Sequence, residues 1–191
     1  LAGNDILLGG SGNDTMVAGL GDDEMYAGDG NDTAYINNLD GDDFANGGSG
    51  FDTIVIDARL QQLGIDTTAI VSHNLLFPLS DDLLQDFELP DGTHVIGFEA
   101  IRFLGGYGGD TLFGGQADDQ LSGYGGNDEI WWSMGADGLY GGTGEDTIHY
   151  RMDTGPDTVE GGEGRDTLDI QATGETDVSL DVDAISDTHG A

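Results

Sequence analysis

The chain has 191 residues, of which 38 are acidic and 4 basic, giving a formal net charge of −34 and a pI near 4.1. A surface that negative excludes nucleic acid and anionic membranes as partners, because both are polyanions. Cysteine is absent, so no disulfide frames the fold and the redox compartment is left open. No apolar run reaches the roughly 18 residues a membrane-spanning helix needs.

From its first residues the chain repeats with a period of nine. Residues 9–17 (GGSGNDTMV), 18–26 (AGLGDDEMY) and 27–35 (AGDGNDTAY) share one register, with glycine fourth, aspartate sixth and an apolar residue eighth. A first array over residues 1–55 places Asp5, Asp14, Asp23, Asp32, Asp43 and Asp52 sixth, with a two-residue slip at Ile36 and Asn37. A second array over residues 105–169 places Asp110, Asp119, Asp128, Asp137, Asp146, Asp157 and Asp166 there, with a slip at Tyr150 and Arg151. Across the thirteen units the fourth residue is glycine in twelve, Ala117 being the exception. The eighth is always apolar: Leu7, Met16, Met25, Ala34, Ala45, Ile54, Leu112, Leu121, Ile130, Leu139, Ile148, Val159 and Leu168.

Five or six residues rich in Gly and Asn predict a turn, and the last three of each unit a short strand with one inward side chain. One unit reverses the chain, so two make a coil of 18 residues, and successive coils stack as parallel strands about 4.8 Å apart. Aspartates of units i and i+2 then form a column of carboxylates at that spacing. Neighbouring charges in such a column repel by about 3 to 4 kcal/mol at an effective dielectric of ~20, so the column calls for cations. Carboxylates and turn carbonyls are hard oxygen donors that suit Ca²⁺. No thiolate or imidazole recurs, which argues against zinc and copper.

The pattern GGxGxDxUx resembles the RTX calcium-binding repeat of type I secreted bacterial proteins, a parallel β-helix repeat, over 120 of the 191 residues. The resemblance implies an all-β fold: a right-handed parallel β-roll, or solenoid, with calcium in its turns and two arrays separated by a strand-rich spacer. It further implies that each ion lies between the turns of units i and i+2. The pairs are Asp5 with Asp23, Asp14 with Asp32, Asp23 with Asp43, and Asp32 with Asp52. In the second array they are Asp110 with Asp128, Asp119 with Asp137, Asp128 with Asp146, Asp137 with Asp157, and Asp146 with Asp166. Backbone carbonyls complete each site, from first and third positions on one turn and second and fourth on the other. These are Gly9, Ser11, Gly19, Gly21, Gly28, Gly30, Gly48 and Gly50 in the first array. In the second they are Gly105, Tyr107, Gly114, Gln116, Gly126, Gly135, Gly141, Thr143, Gly162 and Gly164. The nine implied ions would bring 18 positive charges and leave about −16 of the −34. Some units depart from the pattern: Asn38 and Leu39 stand before Asp43, Trp132 and Ser133 before Asp137, and Met152, Asp153 and Pro156 before Asp157. With so many like charges, the metal-free chain is expected to be unfolded, and calcium binding and folding to be one transition.

Residues 56–104 break the period. Thr67 to Ser72, Leu83 to Leu89 and His94 to Phe103 read as strands, Ala58 to Leu63 as a short helix, and Pro90, Asp91 and Gly92 as a turn. Counting back from Gly105 puts Phe103 in an eighth position. Residues 162–172 (GEGRDTLDIQA) resemble 48–58 (GSGFDTIVIDA), so 170–191 is expected to begin a second spacer or a flank. Ninth positions point outward, which lines up Phe113, Trp131 and His149 on one face, with Tyr140 also outward. The simpler reading covers them with Leu75, Leu76, Phe77 or Phe87. The other makes Phe113, Trp131 and Tyr140 a surface for glycan or protein.

No HExxH pair, GxSxG elbow or helix-opening GxGxxG is present, so no catalytic residue is assigned and the chain reads as non-enzymatic. The chain begins within a repeat and shows no N-terminal signal peptide, so it reads as an excerpt of a longer protein. The expected function is a calcium-dependent folding module of a secreted or cell-surface bacterial protein, exported by type I secretion. The alternatives are an adhesin or surface-layer interaction module, and the C-terminal appendage of an exoenzyme or toxin whose active site lies elsewhere.

Overall fold

The computed structural model describes residues 2–37, 41–58, 87–88, 92–115, 117–132, 134–151 and 155–171. Among them every regular element is a strand. In chain order these are β1 (Ile6–Ser11), β2 (Thr15–Val17), β3 (Glu24–Asp29), β4 (Thr33–Asn37), β5 (Phe44–Ser49), β6 (Thr53–Asp57), β7 (Phe87–Glu88) and β8 (His94–Ile96). They continue as β9 (Ala100–Leu104), β10 (Thr111–Phe113), β11 (Gln120–Gly125), β12 (Glu129–Trp131), β13 (Gly138–Thr143), β14 (Thr147–Arg151), β15 (Thr158–Glu163) and β16 (Thr167–Gln171).

The chain winds as a parallel β-roll whose alternate strands build opposite walls. One wall is a seven-stranded sheet, β2-β4-β6-β9-β11-β13-β15, which runs without a break through both arrays. The facing strands form β1-β3-β5-β8 and β10-β12-β14-β16, with β7 antiparallel on the β8 edge of the first. Regular coils pair at the expected offset of 18, as in Leu7 with Met25, Leu112 with Ile130 and Leu121 with Leu139. Eighth-position side chains meet between the walls: ten of the thirteen are buried, Leu7 and Val159 are partly so, and Leu168 on the last strand is 41% exposed.

Both slips are absorbed by strand length. Ile36 and Asn37 extend β4 and pair with Ile56 and Asp57 of β6, so Ile36 and Ile56 join the core. Tyr150 and Arg151 extend β14 in the same way, against Ile170 and Gln171. The unit also divides differently from expectation in about half of the units. β1, β3, β5, β11, β13 and β15 are six residues long and take in the first three positions of the following unit. The turn proper then shrinks to positions four to six. Second-position glycines such as Gly28 (φ 110°) allow this by entering a backbone region closed to most side chains without leaving the ladder.

The described chain lies in the roll up to Ala58, whose N–H bonds Leu104 O at 2.9 Å, and again from Thr93, which meets the Asp43 N–H. The segment expected as one strand from His94 to Phe103 is two, β8 and β9, because Gly97 (φ 68°) opens a turn at residues 97–99. β9 then joins the arrays: Ile101 pairs with Ile54 of the first, and Phe103 with Leu121 of the second, as its eighth-position count requires. Of the strand expected over Leu83 to Leu89, Phe87 and Glu88 are described and extended. The strand at 67–72, the helix at 58–63 beyond Ala58, and Leu75, Leu76 and Phe77 lie outside the described residues, as do 172–191.

Candidate metal centre

The sixth-position aspartates stand in two columns, one along each edge of the roll. In every one of the nine expected pairs the backbone N–H of the lower aspartate donates to Oδ1 of the upper. The bonds run from Asp5 to Asp23 (2.8 Å), Asp14 to Asp32 (2.7 Å), Asp23 to Asp43 (2.9 Å) and Asp32 to Asp52 (2.8 Å). In the second array they run from Asp110 to Asp128 (2.8 Å), Asp119 to Asp137 (2.9 Å), Asp128 to Asp146 (2.9 Å), Asp137 to Asp157 (2.9 Å) and Asp146 to Asp166 (3.1 Å). The turn that reverses the chain delivers each carboxylate over the turn one coil below. Nine of the thirteen are buried; Asp5, Asp14, Asp157 and Asp166 are partly so.

The second oxygen of these carboxylates separates the units. Asp23, Asp110 and Asp119 turn Oδ2 to the second-position N–H of their own turn, from Gly19 (2.6 Å), Gly106 (3.1 Å) and Gly115. In the slipped unit, the Tyr150 hydroxyl donates to Asp157 Oδ2 at 3.0 Å. Oδ2 of Asp5, Asp14, Asp32, Asp52, Asp128 and Asp146 is buried with no hydrogen-bond partner, and so is Oδ1 of Asp110. Asp110 precedes β10, the end strand of its sheet, and its Oδ1 lacks the donor that the coil below supplies elsewhere. Unpartnered buried carboxylate oxygens are costly, and burial accordingly pushes Asp110 up to about 6, against the Gly106 N–H. Asp128 rises to about 7 through burial, opposed by the Asp110 N–H and assisted by the charges of Asp110 and Asp146. Asp146 is raised by burial and the Asp166 charge, and Asp52 by burial and the charges of Glu99 and Asp32.

Two further ladders escaped the sequence reading. Fifth-position side chains bond in the opposite sense, upper N–H to lower oxygen: Asn31 N to Asn13 Oδ1 (3.1 Å), Asp42 N to Asp22 Oδ1 (3.1 Å) and Glu145 N to Asn127 Oδ1 (2.9 Å). The recurrence of Asn or Asp at that position was the available signal. Thr93 and Glu99 also occupy sixth-position places. Thr93 Oγ1 accepts from Asp43 N at 3.2 Å and Glu99 Oε2 from Asp52 N at 2.6 Å. Their signal was the apolar residue two places on, Val95 and Ile101.

Fourth-position glycines stack carbonyl on Cα. A Cβ on Gly30 would collide with Gly12 O, on Gly50 with Gly30 O and on Gly164 with Gly144 O. Of the residues expected to offer carbonyls, Gly9, Ser11, Gly28, Gly48, Gly141, Thr143 and Gly162 lie within paired strands. Gly19, Gly21, Gly30, Gly50, Gly105, Tyr107, Gly114, Gly126, Gly135 and Gly164 lie in the turns, and Gln116 is outside the described residues.

Among the described residues no three His, Cys, Asp or Glu side chains converge on one point. Each step brings two carboxylates together, one over the turn of the other. Oxygen-only donors, charge in excess and buried unpartnered carboxylate oxygens fit calcium, a hard ion of high coordination number.

Phe113, Trp131 and His149 line up as expected, with both faces of the Trp131 ring covered by its neighbours. Phe113 stacks on Trp131 with centroids 5.7 Å apart, and Trp131 on His149 at 3.8 Å. His149 lies between Glu129 (3.0 Å) and Asp169 (3.1 Å), and the Arg151 guanidinium sits 4.7 Å over Trp132.

The family model of the RTX calcium-binding nonapeptide repeat matches residues 1–34, 39–55, 104–139, 133–148 and 153–169, more than half of the chain. No curated protein matches the chain as a relative. Proteins built on these repeats are typically exported by type I systems, and the β-roll is a structural calcium-binding module rather than a catalytic fold. By its register, its stacked aspartates and this match, the chain belongs to the RTX calcium-binding repeat family.

Proposed function

We propose that the chain is a calcium-assembled scaffold of a larger secreted or cell-surface bacterial protein. It stays unfolded where calcium is scarce, passes a type I exporter in that state, and folds in the calcium-rich medium outside. The observation that carries this reading is the set of buried carboxylate oxygens without partners, repeated along both edges of the roll. A fold that leaves them bare is penalised, and calcium between successive turns relieves the penalty at every step. In this reading the nine aspartate pairs hold nine ions, with carbonyls of the Gly-rich turns completing each shell. Residues 1–55 and 105–169 are the two arrays, 56–104 a spacer whose strands β8 and β9 continue the roll, and 170–191 a flank. At tenfold excess over its dissociation constant each ion adds about 1.4 kcal/mol, and nine add about 13, the scale of a whole domain's stability.

The test is far-UV circular dichroism of the chelated protein during a calcium titration, with magnesium as control. The expected result is a cooperative gain of β-structure at roughly 0.1 to 1 mM calcium and none with magnesium. A chain already β-structured in chelator at neutral pH would overturn the switch. The competing reading, glycan binding through the outward aromatics, has weaker support. A sugar stacks on a ring face, and both faces of Trp131 are taken by Phe113 and His149.

A further inference from the structure

We infer that the roll holds one cation site more than its nonapeptide register counts, between Asp52 and Glu99 at the junction of the arrays. The inference rests on the reading of the aspartate columns as calcium sites and extends it to a residue outside the repeat. Glu99 lies beyond the residues matched by the repeat model, yet it holds the sixth-position place of its coil. Its Oε2 accepts the Asp52 N–H at 2.6 Å, as Asp52 Oδ1 accepts that of Asp32 at 2.8 Å. The N–H groups of Glu99 and Ala100 both reach Asp52 O at 3.1 Å, and Ile101 pairs with Ile54. The turn at 97–99 is shorter than a repeat turn, and the extra methylene of glutamate restores the reach.

A second observation points to a ligand. Asp52 is fully buried, and its Oδ2 has no partner. That oxygen and the Gly97 carbonyl both face the space left by the missing side chain of Gly47. The same cradle recurs within the register, where Asp14 Oδ2 and Ala27 O face Gly9, and Asp146 Oδ2 and Gly161 O face Gly141. The donors are hard oxygens carrying two negative charges, the chemistry of a calcium-sized divalent cation. The opposite column supplies the contrast. There Thr93 replaces the carboxylate, its hydroxyl accepting from Asp43 N and donating to Gly41 O at 3.3 Å. That step carries a carboxylate on one side only, and no ion is expected there.

The experiment counts calcium per chain by metal analysis after equilibrium dialysis at saturating calcium, for the wild type and Glu99→Gln. Glutamine keeps an oxygen for the Asp52 N–H and loses the charge. The expected result is one ion fewer with the same β-signal. An unchanged count overturns the inference and leaves Glu99 a cap. A wild-type chain that binds no calcium overturns the reading beneath it. Should the variant fail to fold, calcium anomalous scattering from wild-type crystals decides. A peak between the turns at 47–52 and 97–99, with none between Asp43 and Thr93, supports the site. Peaks at the other aspartate steps without one there overturn it.

Discussion

Each interior aspartate serves two steps of its column, whereas a terminal one serves a single step. Asp128 accepts from Asp110 and donates to Asp146, but Asp5 only donates to Asp23. Asp128→Asn is therefore expected to remove two ions per chain and Asp5→Asn one, counted by dialysis at saturating calcium; equal losses would mean that ions are not shared along a column. The glycines divide in the same local way. Gly10 (φ 103°) has open space where a Cβ would go, so Gly10→Ala meets only the left-handed backbone penalty of about 1 to 2 kcal/mol. Gly30 (φ 143°) would in addition drive its Cβ into Gly12 O. Gly30→Ala is thus expected to lower stability in saturating calcium by more than Gly10→Ala, measured by urea unfolding. Both roles were legible because the repeat fixes residue type at those positions. Thr93 and Glu99 were not, since their place is fixed by which backbone N–H they meet, and neither hydroxyl nor glutamate matches the expected aspartate.

At the scale of strands, alternation placed Phe113, Trp131 and His149 in a line, and the register of β10, β12 and β14 agrees. Ring orientation was illegible, because it depends on side-chain rotation and on the Glu129 and Asp169 carboxylates that hold His149. Trp131 has a ring on each side and Phe113 only one. At about 0.5 to 1.5 kcal/mol per stacked pair, Trp131→Ala is expected to cost about twice as much as Phe113→Ala in urea unfolding at saturating calcium. Equal costs would mean the stack adds nothing beyond burial. The six-residue strands were likewise hidden. Gly-Gly reads as a turn in isolation, and only pairing with the coil above, as of Gly10 with Gly28, keeps it extended. The slips looked like interruptions but lengthen matched strands, which period alone does not reveal.

The described residues form one roll with two charged edges, because β9 pairs with β6 of the first array and β11 of the second. The break in sequence period is therefore not a break in the seven-stranded wall. Two columns of largely buried carboxylates give the metal-free roll a defined response to pH. Asp110 and Asp128 are raised by burial to about 6 and about 7, and Asp52 and Asp146 are raised as well. In the unfolded chain these groups titrate near the ordinary carboxylate value of about 4. The folded roll therefore binds their protons more tightly than the unfolded chain does. Their stabilising contribution is fully present below about pH 4 and is lost as pH rises through about 6 and 7. Calcium acts in the opposite sense, since it requires the deprotonated carboxylates, and its affinity falls across the same window as protons compete. In calcium-free buffer the far-UV spectrum is expected to show β-structure near pH 4 that disappears by about pH 8. At pH 8 calcium restores it, and the calcium midpoint moves to higher concentration as pH is lowered from 7 to 5. A midpoint independent of pH would show that the buried aspartates neither hold protons in the metal-free roll nor exchange them for calcium.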